Sequence, residues 1–331
     1  MRVGIVFDLF DDWPWAPGDP FDADAENEPE ATVVSLEEAL RYLGHEPVRI
    51  GTPHDLWRLG PATGLDAAVN IAEGFRSRNR EGWAPTLLEM ARVPFVGSDA
   101  LTLSLSLDKA WTKDLAAAAG VPTPPYRVYR TADDIVREDL PGPFPLFVKP
   151  RYEGSAKGIT SSSRVDDAVA LVRVVAGMTA TYGQDVIVEP FVCGLGEYTV
   201  AIVGHRPPRA LPVLQRAVDA ATGIGLHALD RKGLSHADRD WRLEGKIADG
   251  LESRLTELAL RVFEKLECRD FARIDFRIDG AGRPWFLEIN PLPTFDPEGT
   301  FAILAELCAM PYPEFLAGVL KEALERIAPG A

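Results

Sequence analysis

Residues 146–160 read LFVKPRYEGSAKGIT. Leu146-Phe147-Val148 has the composition of a buried strand and runs straight into Lys149. Pro150 is expected to stop regular pairing, because it has no N–H to give to a ladder. Glu153-Gly154-Ser155-Ala156-Lys157-Gly158 then reads as a loop too mobile to be core. A lysine closing an apolar strand, followed by a glycine-rich loop with a second lysine, calls for a reason. Loops of this kind can cradle phosphate oxygens with backbone N–H groups. The pattern G-x-x-x-x-G-K-[ST] is absent, so this is not a Walker P-loop. Taken alone, the stretch also fits a surface hairpin with a solvated lysine.

Downstream, residues 166–177 have helical character and DVIVEPF (185–191) is a strand. GEYTVAIVG (196–204) and ALPVLQRAV (210–218) read as strands of another sheet, and 219–245 is polar and irregular. A helix over Leu251–Leu266 precedes two strands, FARIDFRID (271–279) and PWFLEIN (284–290), joined at Gly280-Ala281-Gly282-Arg283. A last helix covers Pro313 to Ile327. Upstream, RVGIVF (2–7) is an apolar run suited to a parallel sheet, and no G-x-G-x-x-G follows it. An acidic, Pro- and Trp-rich loop comes next. Residues 31–43 have helical periodicity with a stop at Gly44. Strands at Val48–Ile50 and Ala67–Ile71, helical TLLEMARV (86–93) and PFVGS (94–98) complete a strand–helix alternation, which implies a doubly wound α/β domain. One helix spans Ser106 to Ala119, before Pro122, Pro124 and Pro125.

The 331 residues suffice for two or three domains. The formal net charge of −15 argues against nucleic acid as a main partner, which needs a basic face. A small phosphate ligand needs only a local pocket. The three cysteines, Cys193, Cys268 and Cys308, have no metal or redox spacing. The start MRVGIVFDLFDD does not read as a signal peptide, and no apolar run nears the ~18 residues of a membrane span. The expectation is a cytoplasmic protein without a membrane partner. G-x-S-x-G and H-E-x-x-H are both absent, which removes serine-hydrolase and zinc-protease readings.

Asp275 lies on the first strand of the 271–290 pair, and Glu288 and Asn290 on the second. Residues two apart leave one face of a strand, so Glu288 and Asn290 point together and a regular hairpin brings Asp275 beside them. Two carboxylates and an amide oxygen suit a hard cation such as Mg²⁺. Exposed strand acids beside Arg273 and Arg277 are the other reading, but Asp and Asn are depleted in strand interiors.

A strand lysine, a glycine-rich loop and a downstream acid cluster together describe an ATP site. The stretches PFVGS, LSLDKAWTK, FVKPRYEGSAKGI, VIVEPFVCGLGEYTVAIVG, FARIDFRIDGAG and FLEINPLP resemble, in order and spacing, the D-alanine–D-alanine ligase branch of the ATP-grasp superfamily. The resemblance covers nearly the whole chain and is strongest over 94–294. It implies an α+β ATP-grasp fold: an N-terminal Rossmann-like domain (1–104), a central lobe with the lid (105–192) and a C-terminal lobe with the metal site (193–331). It implies that Lys109 and Lys149 contact ATP, with Glu153, Gly154, Ser155, Ala156 and Gly158 as a lid over the phosphates. Glu189, Pro190, Phe191 and Val192 resemble the hinge that reads adenine, and Glu197 the carboxylate that binds ribose. Asp275, Glu288 and Asn290 match ligands of Mg²⁺, or of Mn²⁺ in its place. Arg273 matches an arginine that stabilises a tetrahedral intermediate, Ser155 a contact to the first substrate, and Lys232 a phosphate-binding lysine on a closing loop.

The N-terminal third departs from ligases that make D-Ala-D-Ala. NIAEGFRSRNREG stands where H-G-x-x-G-E-D-G is usual, with Arg80 at an acidic position. AENE (25–28) resembles part of the family's first loop, which makes Glu26 a candidate to hold a substrate amino group. Arg78 and Arg80, with Arg76, are expected to meet a substrate more acidic than alanine. EINPLPTFDPEGT replaces E-x-N-x-x-P-G-M-T. The expected activity is an ATP- and Mg²⁺-dependent carboxylate–amine ligase working through an acyl phosphate on small-molecule carboxylate and amine substrates, with a homodimer as the family default. The alternatives are a true D-alanine–D-alanine ligase, a non-catalytic ATP-binding regulator and an ATP-grasp kinase.

Overall fold

The computed structural model describes residues 1–61, 64–225, 241–242 and 250–327. Lys232 and most of 219–245 lie outside the described residues. The N-terminal region is a parallel sheet of β1 (Arg2–Val6), β2 (Glu46–Gly51), β3 (Ala67–Asn70) and β4 (Phe95–Val96) in the order β2-β1-β3-β4. Its helices are α1 (Glu30–Tyr42), α2 (Pro53–Leu59) and α3 (Trp83–Met90). Val3 and Ile5 pack against Val33, Leu36 and Leu40 of α1, whereas Val6 joins Leu56 of α2 and Leu88 of α3. Both sheet faces are covered, which is why RVGIVF shows no polar alternation. The arrangement is doubly wound, as expected.

Where one helix is expected over 106–119, there are two, α4 (Ala100–Leu107) and α5 (Lys109–Ala118). Asp108 separates them in an extended conformation and caps α5, its Oδ1 accepting from the backbone N of Ala110 at 3.1 Å and of Trp111 at 3.3 Å. The helical period runs through this break, so periodicity alone does not show it. A second, antiparallel sheet has the order β5-β8-β6-β7, from β5 (Arg127–Tyr129), β6 (Leu146–Pro150), β7 (Arg164–Val165) and β8 (Val186–Pro190). Leu171, Val175 and Met178 of α6 (Ala168–Tyr182) cover it. Pro150 stays in β6, opposite Val186, rather than ending the pairing before it. Pairing with β7 stops at Phe147, so one side of the strand at Pro150 demands no N–H.

The third sheet, also antiparallel, is built on β9 (Gly194–Val203), flanked by β10 (Arg209–Ala210) and β11 (Leu214–Arg216). The 210–218 run is therefore several short pieces, interrupted at Pro212, rather than one strand. β12 (Val218–Asp219) pairs with β13 (Trp241–Arg242) in a separate ribbon. Leu255, Leu258, Val262 and Phe263 of α7 (Leu251–Lys265) cover the sheet formed by β9, β14 (Phe271–Asp279) and β15 (Pro284–Asn290). The chain then returns to the N-terminal region through α8 (Thr300–Leu307) and α9 (Tyr312–Ile327), whose Phe301, Leu304, Phe315 and Leu320 share a core with α1. No single helix among the described residues is long and apolar enough to cross a membrane.

Asp270, 2% exposed, ties these regions together. Its carboxylate accepts from Gly97 N at 2.7 Å and from Arg326 Nε and Nη2, both at 2.6 Å. Asp270→Ala leaves a guanidinium and an amide N–H without their acceptor and is expected to cost about 3 kcal/mol. Urea unfolding that shows less than about 1 kcal/mol of destabilisation would remove Asp270 from that role.

Candidate active site

The site starts from the two faces of β14. Ile274, Phe276 and Ile278 turn into the core under α7, while Arg273, Asp275 and Arg277 leave the opposite face. Register places Asp275 between Thr199 on β9 and Glu288 on β15, and Arg277 opposite Glu197. After Asp275 the register slips, because Phe276 pairs with Phe286 and Leu287 becomes the extra residue of a bulge. Leu287 and Glu288 consequently face the same cavity as Asn290. Asp275 Oδ1 accepts from the Thr199 hydroxyl at 2.6 Å and Oδ2 from Arg273 Nε at 3.3 Å. Arg277 Nη1 lies 3.3 Å from Glu197 Oε2, and its Nε donates to Val192 O at 3.0 Å. Burial raises the Glu197 pKa above the usual carboxylate value, against the lowering pull of Arg277.

Lys109 occupies the first turn of α5, where the helix dipole disfavours a cation. It is 6% exposed, donates to the carbonyl of Glu153 and lies 3.6 Å from Glu288 Oε2. Arg151 grips the capping Asp108 with two bonds of 2.8 Å, which fixes the helix start against the end of β6.

Lys149 crosses from β6 to Glu189 on β8 at 2.9 Å. The other oxygen of Glu189 lies 2.6 Å from Lys113, a residue that sequence reasoning missed. Its signal was present in LSLDKAWTK, one helical turn beyond Lys109. The side chain of Glu189 is thus held between two ammonium groups, which keep its carboxyl below the usual range against the raising effect of burial. Beyond Lys149, Phe147, Ala156, Ile159, Phe191 and Ile224 form an apolar slot. The Arg277 and Arg164 guanidinium groups lie 4.6 and 5.1 Å from the Phe191 ring centroid.

The glycine-rich loop is fastened to the acidic N-terminal loop. Gly154 N donates to Glu26 Oε1 at 2.5 Å, and Gly158 N to Asp22 Oδ2 at 2.9 Å. Tyr182 donates to the other oxygen of Asp22 at 2.8 Å. Ser155 and Ala156 both take left-handed φ, 48° and 57°, a conformation that costs about 1–2 kcal/mol for a residue with a Cβ. Gly158 has φ +78°, and a Cβ there would sit 2.5 Å from Pro150 Cγ. The loop is therefore hydrogen-bonded and half-buried rather than free.

The Glu26 carboxylate is ion-paired to the buried Arg80 and lies 3.4 Å from Lys157, so two of the protein's own cations face it. These cations bring its pKa down to about 2 although burial acts the other way. Arg80 also lies 3.5 Å from Glu153 and donates to Tyr152 O at 2.8 Å. Arg78 sits over the Trp111 and Tyr152 rings at 5.0 and 5.3 Å, and Arg76 pairs with Asp19 at 2.8 Å. The three arginines expected to await an acidic substrate thus engage the protein's own carboxylates and rings.

These elements enclose a cavity of about 500 Å³. Glu26, Lys109, Lys149, Glu153, Ser155, Ala156, Glu189, Pro190, Phe191, Val192, Glu197, Arg273, Asp275, Glu288 and Asn290 all line it. Arg78, Arg80, Gly154 and Gly158 do not. Lys157, the second lysine of the glycine-rich loop, and Arg216, which was not singled out from sequence, line it as well. Arg216 Nε donates to Thr199 at 2.9 Å and Nη2 to Thr300 at 2.6 Å.

The family profile described as D-ala D-ala ligase C-terminus matches residues 115–321. The chain belongs to the D-alanine–D-alanine ligase family. It is an ATP-grasp ligase that forms a carbon–nitrogen bond. A D-alanine–D-alanine ligase of Desulforudis audaxviator is 32% identical over 87% of this chain and 91% of its own. The uncharacterized protein y4sG of Sinorhizobium fredii is 30% identical over 93% of this chain and 92% of its own. In fold, the D-alanine–D-alanine ligase of Bacillus anthracis complexed with ATP matches with a TM-score of 0.73, at 20% identity, over 98% of each chain.

At one edge of the ligase cavity, Glu73 and Glu81 form a hydrogen-bonded pair of buried carboxyls. Burial raises both pKa values, reinforced at Glu73 by the nearby Glu81 and Glu26 and at Glu81 by Glu26, against the lowering pull of Arg80 on each. The folded chain therefore keeps a proton that the unfolded chain has released. Stability falls as pH rises from the usual carboxylate range toward the raised values, and this loss levels off above them. Glu81→Gln should flatten that part of the melting-temperature profile; an unchanged profile would show that the pair carries no such proton.

Proposed function

We propose that this ligase uses ATP and Mg²⁺, or Mn²⁺ in its place, to join the carboxylate of an amino acid to the amine of another amino acid or small amine. The observation that carries this reading is the convergence of Lys109, Lys149, Arg273, Asp275 and Glu288 on one cavity whose other end is an apolar slot. That division suits a nucleotide: an apolar, aromatic end for the base and a cationic end for phosphates. The hinge Glu189–Val192 and Glu197 border the base end. Lys109 and Lys149, with the loop 153–158, would receive the phosphates.

The donors fit a hard cation. Asp275 and Glu288 face each other, and Asn290 adds an amide oxygen. No group of three or more His, Cys, Asp or Glu suited to a metal occurs among the described residues, so water and phosphate oxygens would complete the shell. Bound there, the cation would neutralise phosphate charge and polarise the transferring group.

The chemical logic begins with a poor leaving group. A carboxylate cannot expel oxide, so its oxygen first attacks the γ-phosphorus and ADP departs. The amine then attacks the acyl carbon of the acyl phosphate, loses a proton, and inorganic phosphate leaves. Arg273, on the face that holds Asp275, would meet the negative charge of the tetrahedral intermediate. Ser155, on the loop beside Glu26, would contact the first substrate. Lys232 belongs to this reading as a phosphate contact but falls outside the described residues.

The curated relative at 32% identity favours the D-alanine–D-alanine reading of the substrates. The engagement of Glu26 by Arg80 and Lys157 favours different ones, because a substrate ammonium would have to compete with two cations. ADP release with paired D- and L-amino acids, with mass detection of products, separates these readings. D-Ala alone giving a dimer supports the first, and a product with another amine the second. Lys149→Ala or Glu288→Ala is expected to lower turnover by roughly 10²-fold or more, the scale of losing one preorganised electrostatic partner. Near-normal turnover in either variant would sink the assignment.

A further inference from the structure

We infer that Lys113 is a positioning residue for the nucleotide, acting through Glu189 to hold the Lys149 ammonium in the cavity. The inference rests on the cavity being an ATP site. Lys113 is 0% exposed and does not line the cavity, yet it carries an amine into the interior. Lysines are almost never fully buried unless paired, because an unpaired ammonium loses its hydration without compensation. Lys113 is doubly anchored. Its Nζ lies 2.6 Å from Glu189 Oε2 and donates to Thr123 Oγ1 at 2.8 Å, and Thr123 donates in turn to Phe286 O at 3.0 Å. The chain of contacts joins α5, the segment before β5, β15 and β8.

The second oxygen of Glu189 lies 2.9 Å from Lys149, which is 4% exposed and lines the cavity. One carboxylate thus stands between two ammonium groups. If Glu189 faced Lys149 alone, it would cancel that charge and could rotate about its own side chain. With Lys113 fixed behind it, Glu189 has one direction left, and the positive excess of the three groups faces the cavity. Burial, which outweighs the raising pull of Glu189, lowers the Lys113 pKa to about 8, while Glu189 and Glu288 together raise that of Lys149 despite burial. The two amines are thus held differently: the deeper one is the strained support, and the outer one is the firmly charged group that a polyanion would meet.

Titration of the full chain with Mg²⁺–ATP tests this, since nucleotide binding requires no knowledge of the two substrates. Lys113→Met and Lys113→Gln should each weaken ATP binding roughly tenfold. That is the size of one coupling of about 1.4 kcal/mol transmitted through a fixed partner. Lys113→Arg keeps the charge and should recover most of the affinity. In a Lys149→Met background, Lys113→Gln should cause little further loss, because its effect runs through Lys149. A purely structural lysine would lower the melting temperature while leaving ATP affinity intact. Wild-type affinity in a folded Lys113→Gln chain, or losses that add fully with Lys149→Met, would overturn the role. Should Lys113→Met not fold, Lys113→Gln, which keeps a polar group beside Thr123 but removes the ammonium that holds the Glu189 charge, gives the same decision. Failure of the unaltered chain to bind Mg²⁺–ATP would instead overturn the nucleotide reading, and this inference with it.

Discussion

A strand has two faces, and β14 uses them for opposite purposes. Every second residue, Ile274, Phe276 and Ile278, is sealed under α7, and this burial fixes the strand's register. The residues between them are then forced outward together, so Arg273, Asp275 and Arg277 meet the cavity without any further device. A slip of one residue would bury the charges and expose the core, a change no pairing on β9 or β15 could accommodate. The hydrophobic core under β14 is therefore also what aims the chemistry. The bulge at Leu287 adds the one adjustment that regular pairing cannot, bringing Glu288 directly across from Asp275.

Much of this was legible in the residues. The alternation in RIDFRI and the i, i+2 spacing of Glu288 and Asn290 predicted a shared face, and the register places them there. Long strands and amphipathic helices were readable because their periods persist over many residues. What escaped notice was set by tertiary partners. Asp108 breaks a helical pattern because Arg151, far away in sequence, holds it as a cap. The helix Thr300–Leu307 carries the apolar Ile303 and Leu307 on its exposed side as well as an apolar buried side, so its sequence has no amphipathic period to detect. Lys113 looks like any helical lysine until Glu189 is known to face it.

The arginines of residues 76–80 show the same limit from the charge side. In a list of residues they form a basic segment that invites an acidic ligand. In the fold, the acidic N-terminal loop reaches them first, and Asp19 and Glu26 become their partners. A charge run in sequence states how many ions are present, not which opposite ions, here 54 and 57 residues away, lie across from them. Composition had already made acids plentiful in this chain, with 50 Asp and Glu against 35 Lys and Arg.

That surplus shapes how the cavity can receive a polyanion. Its cations do not wait in solvent; each described lysine in the lining rests on a carboxylate or a carbonyl. An entering phosphate must therefore compete with existing acceptors, and the outcome depends on how firmly each is held. Lys109 is buried, donates to the neutral Glu153 carbonyl and lies 3.6 Å from the half-buried Glu288, so a new oxygen would displace a carbonyl rather than a close carboxylate. Lys149 is tightly paired in the interior, but to a carboxylate already claimed by Lys113. Sharing one anion between two cations leaves Lys149 partly unneutralised, so a second anion adds to its partner instead of replacing it. On the proposed nucleotide reading the two lysines would meet phosphate differently, Lys109 from a neutral carbonyl and a more distant carboxylate, Lys149 from a buried excess of charge.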